Sequence, residues 1–413
     1  MDVSPEKQLE LIRENSVEVI PEEELLQKLR SGRPLRVKYG VDPSGPDVHL
    51  GHTVPLRKLR LFQDLGHLAV LIVGDFTGMI GDPSGRSDTR RQLTREQIEQ
   101  NLANYKEQLF KIVDPEKTEF HFNSHWIDKL TAEQIMRLTA TQTVAQLLAR
   151  DDFSKRHQAQ LPISLHEFLY PIFQGYDSIA IRADVEIGGT DQTFNFLVAR
   201  EMQRANPLGD PQEPQCIVTF PLLVGTDGVE KMGKSLNNYI GITEPPDQIF
   251  GKVMSIPDEV IVTYFELCTN VPAEDVARMA AEMKSGALNP RDAKRRLARE
   301  VVTLYHSGEA AAQADETFLS VFSTSREQTR EDYEAVAEDI AIPASLQGKP
   351  VWISTALAEL GLASSKGDAR RLVQGGGVYV DERRLSDPRE EVELKLGMLL
   401  RVGKRRVARL AGG

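Results

Sequence analysis

Between Asp42 and His52 the chain reads DPSGPDVHLGH, with His49 and His52 three residues apart around Gly51. On a helix, side chains at i and i+3 share a face. The segment follows a strand-like run and leads into a helical one. A helix N-terminus offers unpaired N–H groups and the positive end of the helix dipole, which suits phosphate. Two imidazoles there can donate hydrogen bonds to oxygens on a reacting phosphorus, and Gly51 has no side chain to hold a flat ring off the backbone. A pair of surface histidines without a role is the plain alternative. Zinc is another, but no third and fourth ligand stand at zinc-like spacing.

A second segment, GVEKMGKSLNNYIG over 228–241, sets Lys231 and Lys234 on either side of Gly233 and just before Ser235. A glycine-containing loop with two ammonium groups can close on a polyphosphate, and its charge helps most when negative charge moves onto a leaving group. The glycine spacing is not that of a Walker A loop. Alone, such a stretch is also what a solvated charged loop looks like. A third segment, LYPIFQGYD, carries Tyr170, Gln174 and Asp177 at i, i+4 and i+7, within about 60° of one another at 3.6 residues per turn. They offer a phenol, an amide and a carboxylate to a small ligand, on a helix that Pro171 should bend. An amphipathic helix with its polar face in water is the alternative.

These segments need a scaffold. The first half of the chain alternates strand patterns (35–42, 68–76, TEFHFN, ADVEIGG, CIVTFPLLV) with helical ones. The helices open on capping boxes at Thr94/Gln97, Thr131/Gln134 and Ser164/Glu167. The apolar run LAVLIVGDF suits a strand buried on both faces. Alternation of this kind predicts an α/β, doubly wound parallel sheet of Rossmann-like type, whose ligands lie outside the carboxyl ends of the strands. The expected organisation is a catalytic domain over 1–244, an α-helical domain over 245–322, an acidic linker over 323–349 and a small α/β domain over 350–413. A chain of 413 residues is long enough for several domains.

Composition narrows the class. Hydrophobic and charged contents of 40% and 27% are those of an ordinary globular protein. Cys216 and Cys268 are the two cysteines, too few for a disulfide framework, which suggests a reducing compartment. The N-terminus is acidic and helical in pattern, unlike a signal peptide. No apolar run approaches the roughly 20 residues needed to span a bilayer, so a cytoplasmic setting without membrane attachment is expected. A net charge of −11 argues, by itself, against nucleic acid. The charge is uneven, however: residues 350–413 hold 12 Lys/Arg and 8 Asp/Glu, a balance of +4, which leaves −15 on the remainder.

Together, HLGH and KMGKS resemble the two signature motifs of the class I aminoacyl-tRNA synthetases, His-Ile-Gly-His and Lys-Met-Ser-Lys-Ser, with Leu50 and Gly233 as departures. The Tyr-x-x-x-Gln-x-x-Asp pattern between them, GDPSGR (81–86), GGTDQ (188–192) and NPRDAKRRLA are similar to the tyrosyl enzymes of bacteria. The likeness runs from about residue 30 to the C-terminus. It implies activation of tyrosine by ATP with Mg²⁺ and transfer to a tRNA, with no permanently bound cofactor. It also implies a homodimer formed through the catalytic domain. Asp177 would take the substrate phenol; Tyr170, Gln174 and Asp82 the ammonium; Gln192 the carboxylate region. Asp42, Gly51, Gly189, Asp191 and Ser235 would meet ATP, with His49 and His52 on its phosphates. Lys231, Lys234, Arg86 and Arg90 would hold pyrophosphate; Arg86 stands where a better-known branch has lysine, a change of geometry. The tail, with Lys366, Arg370, Arg371, Lys404, Arg405 and Arg406, resembles an RNA-binding module first named for a ribosomal small-subunit protein. Many members place a tyrosine four residues before the Asp-Pro pair, where this chain has Lys38, with Tyr39 one residue away. Which of the two, if either, joins Asp177 at the phenol stays open at this point. A synthetase for another aromatic amino acid such as tryptophan, and a non-catalytic RNA-binding relative, are the competing readings.

Overall fold

The computed structural model describes residues 3–411 apart from 44, 85–93, 103, 323–329, 331–332, 335–336, 344, 382 and 404–405. Arg86, Arg90, Lys404 and Arg405 therefore lie outside the described residues. The chain divides into two compact units, Met1–Leu223 and Val224–Gly413, so the division falls ahead of the KMGKS segment rather than after it.

The first unit is built on strands β1 (Glu18–Ile20), β2 (Arg36–Val41), β3 (Leu68–Val73), β4 (Thr118–Phe122), β5 (Val185–Gly189) and β6 (Cys216–Phe220). Their order across the sheet is β1-β6-β5-β2-β3-β4. All neighbours are parallel except β1, which runs antiparallel along β6 and was not anticipated from the sequence. From β2 the chain moves outward through β3 and β4, then returns to β5 on the other side of β2. The β2–β5 seam is thus the point where strand order reverses, and doubly wound sheets bind ligands outside the carboxyl ends of the strands at such a point. Strand β3 reads as an unbroken apolar run, as a strand covered on both faces does; Ala69 to Val73 are all buried.

The local signals behave as their chemistry requires. Thr131 and Gln134 exchange bonds at a helix start, Thr131 N–H to Gln134 Oε1 at 2.9 Å and Gln134 N–H to Thr131 Oγ1 at 3.2 Å. The helix they open, Ala132–Thr139, is followed by a separate one, Val144–Leu148. Thr143 and Gln146 form another capping box that starts the second. Ser164 N–H donates to Glu167 Oε1 at 2.8 Å and opens the turn leading into the Leu169–Ile181 helix. The helix after β2 begins at Leu50, within the HLGH segment itself, with Pro55 inside it.

The second unit starts with the KMGKS loop and continues as helices Pro246–Ser255, Ile261–Cys268, Ala273–Ser285, Pro290–Tyr305 and Gly308–Phe322. It ends in a small α/β module. Strands β7 (Glu338–Ala341), β8 (Pro350–Trp352), β9 (Val378–Val380), β10 (Arg383–Leu385), β11 (Glu391–Glu393), β12 (Leu399–Val402) and β13 (Arg406–Ala411) form a sheet of order β10-β9-β12-β13-β7 and a β11-β8 pair. A core from Ile340 to Leu410, including Ile353, Leu357, Val373, Val378 and Leu400, closes the module on itself. The stretch 323–349 is consequently not linker throughout: β7 lies in it and pairs in parallel with β13, Ile340 opposite Leu410. Burying Ile340 and Ile342 in this core makes that strand part of the module.

Candidate active site

His49 stands in extended conformation as the cap of the Leu50–Asp64 helix. His52 N–H donates to His49 O at 2.8 Å, and His49 N–H donates to Nδ1 of His52 at 3.3 Å. With Nδ1 accepting, a neutral His52 ring carries its proton on Nε2. The two rings stack, centroids 3.8 Å apart and 21° between planes, so the expected pairing on one face is present. Leu50 is fully buried, and its departure from isoleucine is an exchange of core aliphatics.

At the carboxyl end of β2, Asp42 accepts from Tyr170 Oη at 2.9 Å and from Thr77 Oγ1 at 3.0 Å. Tyr170 is buried, and burial followed by the negative charges of Asp42 and Asp82 drives its hydroxyl well above the ordinary range; it stays a donor. A side chain on Gly74 would run into Asp42 Oδ1, so glycine there leaves room for the carboxylate.

Asp177 is buried on the Leu169–Ile181 helix. Trp126 Nε1–H donates to its Oδ1 at 2.7 Å and Asn123 Nδ2–H to its Oδ2 at 3.3 Å. Desolvation pushes this carboxyl up to about 7, against the opposing pull of Lys38 and the two hydrogen bonds. Asn123 also donates to Thr77 Oγ1 at 3.0 Å, which links Asp177 to Asp42 and Tyr170.

A second polar chain joins Gln174, Gln192 and Asp82. Asn195 Nδ2–H donates to Gln174 Oε1 at 2.8 Å and to Gln192 Oε1 at 3.0 Å. Gln192 Nε2–H donates to Asp82 Oδ2 at 2.7 Å. Arg150 lies 3.5 Å from Asp82 and donates to Asn195 Oδ1 at 3.0 Å. Burial raises the Asp82 carboxyl, but Arg150 and the bonds from Ser84 and Gln192 outweigh it and hold it below the ordinary value. Gly189 ends β5, and a side chain on it would meet Asp191 and Leu222. Tyr170, Asp42 and Asp177 therefore belong to one hydrogen-bonded chain, and Gln174, Gln192 and Asp82 to another.

Sequence reasoning missed Asn123, Trp126, Thr77, Asn195 and Arg150. Asn195 carried one faint signal, its place three residues after Gln192. The strand pleat separates Lys38 from Tyr39. Lys38 faces the Leu169–Ile181 helix, where its Nζ donates to Gln174 O and Ser178 Oγ, each at 2.8 Å, and pairs with Glu186 at 2.8 Å. Those three partners use all three ammonium protons. Tyr39, one residue on, points to the opposite face, where burial and then Asp191 raise its hydroxyl.

In the second unit, the KMGKS loop is pinned by Asn238, another residue without a sequence signal. Asn238 is buried; its amide donates to Asp227 Oδ2 at 2.6 Å and Lys231 O at 3.2 Å and accepts from Gly233 N–H at 2.8 Å. Asp227 in turn accepts from Val229 N–H at 2.8 Å and Glu230 N–H at 3.0 Å. Lys231 bridges to Val224, and Lys234–Leu236 make one 3₁₀ turn. Gly233 is extended, and a Cβ there would meet only Lys231 O at 3.9 Å; the loop accommodates a serine at this position equally well. On the small module, Lys366, Arg370 and Arg371 are exposed on the Lys366–Gln374 helix. Arg406 is exposed and paired with Glu338 at 3.2 Å.

Comparison with known proteins agrees with this geometry. Residues 30–323 match the family described as tRNA synthetases class I (W and Y), and residues 351–396 match the S4 domain. The chain is 50% identical to the tyrosine–tRNA ligase of Moorella thermoacetica over 408 residues, covering 98% of this chain and 95% of that one. It is 48% identical to the tyrosine–tRNA ligase of Thermotoga maritima, covering 100% and 99%. Among solved structures, the Archaeoglobus fulgidus tyrosyl-tRNA synthetase complexed with L-tyrosine shares the fold, with a TM-score of 0.61 at 23% identity, covering 76% of this chain and 99% of that one. A strand-order reversal at β2–β5, a stacked histidine pair at a helix mouth and full-length likeness to these ligases lead to one conclusion: the chain belongs to the class I aminoacyl-tRNA synthetases, in the tyrosyl branch that carries a C-terminal S4 domain.

Proposed function

We propose that the chain joins tyrosine to its tRNA in two steps, and that the residues above divide the work as follows. Asp177 accepts the substrate phenol; Tyr170, Gln174 and Asp82 hold the ammonium; Gln192 faces the carboxylate region. MgATP enters as substrate, its magnesium riding on the phosphates. Asp42, Gly51, Gly189, Asp191 and Ser235 contact the nucleotide. The tyrosine carboxylate oxygen attacks the α-phosphorus and pyrophosphate leaves, while Nε2–H of His52 and the His49 ring serve the phosphate oxygens. Lys231, Lys234, Arg86 and Arg90 take up the charge of the departing pyrophosphate. The terminal ribose hydroxyl of tRNA then attacks the adenylate carbonyl and AMP leaves. Catalysis by positioning and by interactions that strengthen in the transition state needs no covalent enzyme intermediate. Lys366, Arg370, Arg371, Lys404, Arg405 and Arg406 meet the RNA backbone.

The observation that carries the amino-acid assignment is Asp177. A buried carboxylate held by Trp126 and Asn123 is an acceptor awaiting a hydroxyl, and a site built for a hydroxyl rejects ligands that lack one because its polar groups go unpaired. Phenylalanine offers no such hydroxyl; an indole N–H can donate to a carboxylate, as Trp126 does here, and the choice against tryptophan is supported by the full-length likeness to tyrosine–tRNA ligases. The homodimer is supported by exposed apolar side chains on the insertion between β4 and β5, Met136 at 66%, Val144 at 64% and Leu165 at 81%, a surface suited to a second copy. A cytoplasmic setting accords with Cys216 and Cys268 being free thiols. Among the described residues no helix is long and apolar enough to cross a membrane. ATP–pyrophosphate exchange with each amino acid in turn tests the reading: exchange should depend on tyrosine, and exchange driven by tryptophan, or none at all, would overturn it.

A further inference from the structure

We propose that Lys38 and Glu186 are a buried positioning pair for the amino-acid pocket, setting where Gln174 and Asp177 meet the substrate; the inference rests on the site assignment above. The two are direct partners across the parallel β2–β5 seam, so their side chains leave the sheet on the same face. Neither has any exposed surface. Burying two charges is weak evidence for stability, since apolar residues of the same size commonly do as well. What distinguishes this pair is what it holds. Lys38 Nζ binds the carbonyl of Gln174 and the hydroxyl of Ser178, the two residues that bracket Asp177 along the helix. Glu186 accepts from Gln174 Nε2 at 3.3 Å through one oxygen and from Ser178 Oγ at 3.2 Å through the other, which Gln215 also holds. Gln174 is thus fixed at its carbonyl by Lys38, at its amide nitrogen by Glu186 and at its amide oxygen by Asn195. The ammonium that occupies the place of the usual tyrosine does not donate to the substrate phenol. It acts one layer behind, by anchoring the turn of helix that presents both recognition groups.

The test is the neutral pair K38M/E186Q, which keeps size and avoids stranding one buried charge. Pyrophosphate exchange should show KM for tyrosine raised about tenfold and the preference for tyrosine over phenylalanine lowered about tenfold, with KM for ATP within about twofold, as misplacement of a positioned group requires. Tyrosine KM and tyrosine preference both within about twofold of the parent would reduce the pair to a structural element and overturn the proposal. Ser178→Ala removes one anchor without touching either charge; it decides the matter if the double variant does not fold, with tyrosine KM expected to rise about threefold and an unchanged value counting against the proposal. Asp177→Asn separates the two levels. If it abolishes tyrosine selection while K38M/E186Q does not, only the positioning role fails; if neither affects selection, the site assignment fails with it.

Discussion

Asp177 gives the sharpest prediction, because burial makes it a liability to the fold and a requirement of the function. Moving its carboxyl from 3.8 to about 7 means that ionisation in the folded state costs about 4 kcal/mol more than in the unfolded chain. Between those two values the folded protein binds the extra proton, so stability falls as pH rises, and the full penalty is present above pH 7. Asp177→Asn removes the ionisation. It also leaves one of the two donors, Trp126 or Asn123, facing an N–H, at a cost of about 2 kcal/mol. The variant should therefore be about 2 kcal/mol more stable than the parent at pH 8 and roughly equal to it at pH 5. For a unit of this size the pH 8 difference corresponds to a Tm about 4–8 °C higher. Thermal or urea unfolding of both proteins at the two pH values reads this directly. Tyrosine-dependent exchange should meanwhile fall by about a hundredfold or more, since the charged acceptor for the phenol is replaced by a neutral amide with a single acceptor oxygen. A stability difference independent of pH, or a variant that loses stability relative to the parent as pH rises, would refute the burial argument.

Other expectations follow from the same geometry. Lys234→Ala should slow adenylate formation by about a hundredfold, as removal of a charge that acts in the transition state does, while the tyrosine Kd stays within about twofold. Quench-flow alongside equilibrium binding separates the two, and equal losses in both would remove the transition-state role. K366A/R370A/R371A should leave pyrophosphate exchange intact but weaken tRNA binding and lower its salt dependence by about one in log–log slope for each phosphate the helix no longer meets; a full slope in the triple variant would exclude this helix from the RNA interface. Arg156, which binds Glu167 through two bonds at 2.6 and 3.0 Å with both side chains buried, should cost about 3–5 kcal/mol when changed to Met, because the buried Glu167 carboxylate is deprived of its countercharge. R156M/E167Q should recover most of that loss in urea unfolding. Failure to recover would mean that packing, not charge, dominates there.

Much of the site was legible because its parts are local. HLGH lies in the turn and helix start that follow β2, and ligands of a doubly wound sheet lie outside the carboxyl ends of its strands. Tyr170, Gln174 and Asp177 share a stripe because helical periodicity puts them there. Capping boxes at Thr131/Gln134 and Ser164/Glu167 need only four residues each. What the sequence could not convey is who stands opposite whom. Trp126 reaches Asp177 across 51 residues, and Lys38 reaches Gln174 across 136. A lysine in one apolar strand and a glutamate in another were visible as isolated charges, yet only strand order and register make them partners. The pleat likewise separates Lys38 from Tyr39, because adjacent residues leave a sheet on opposite faces, and what each face meets is set by helix packing. The sequence alone settles what kinds of group meet a phosphate and an aromatic amino acid. The tertiary structure settles which buried dipoles and charges hold those groups in place, since that depends on pairings between elements no local pattern brings together.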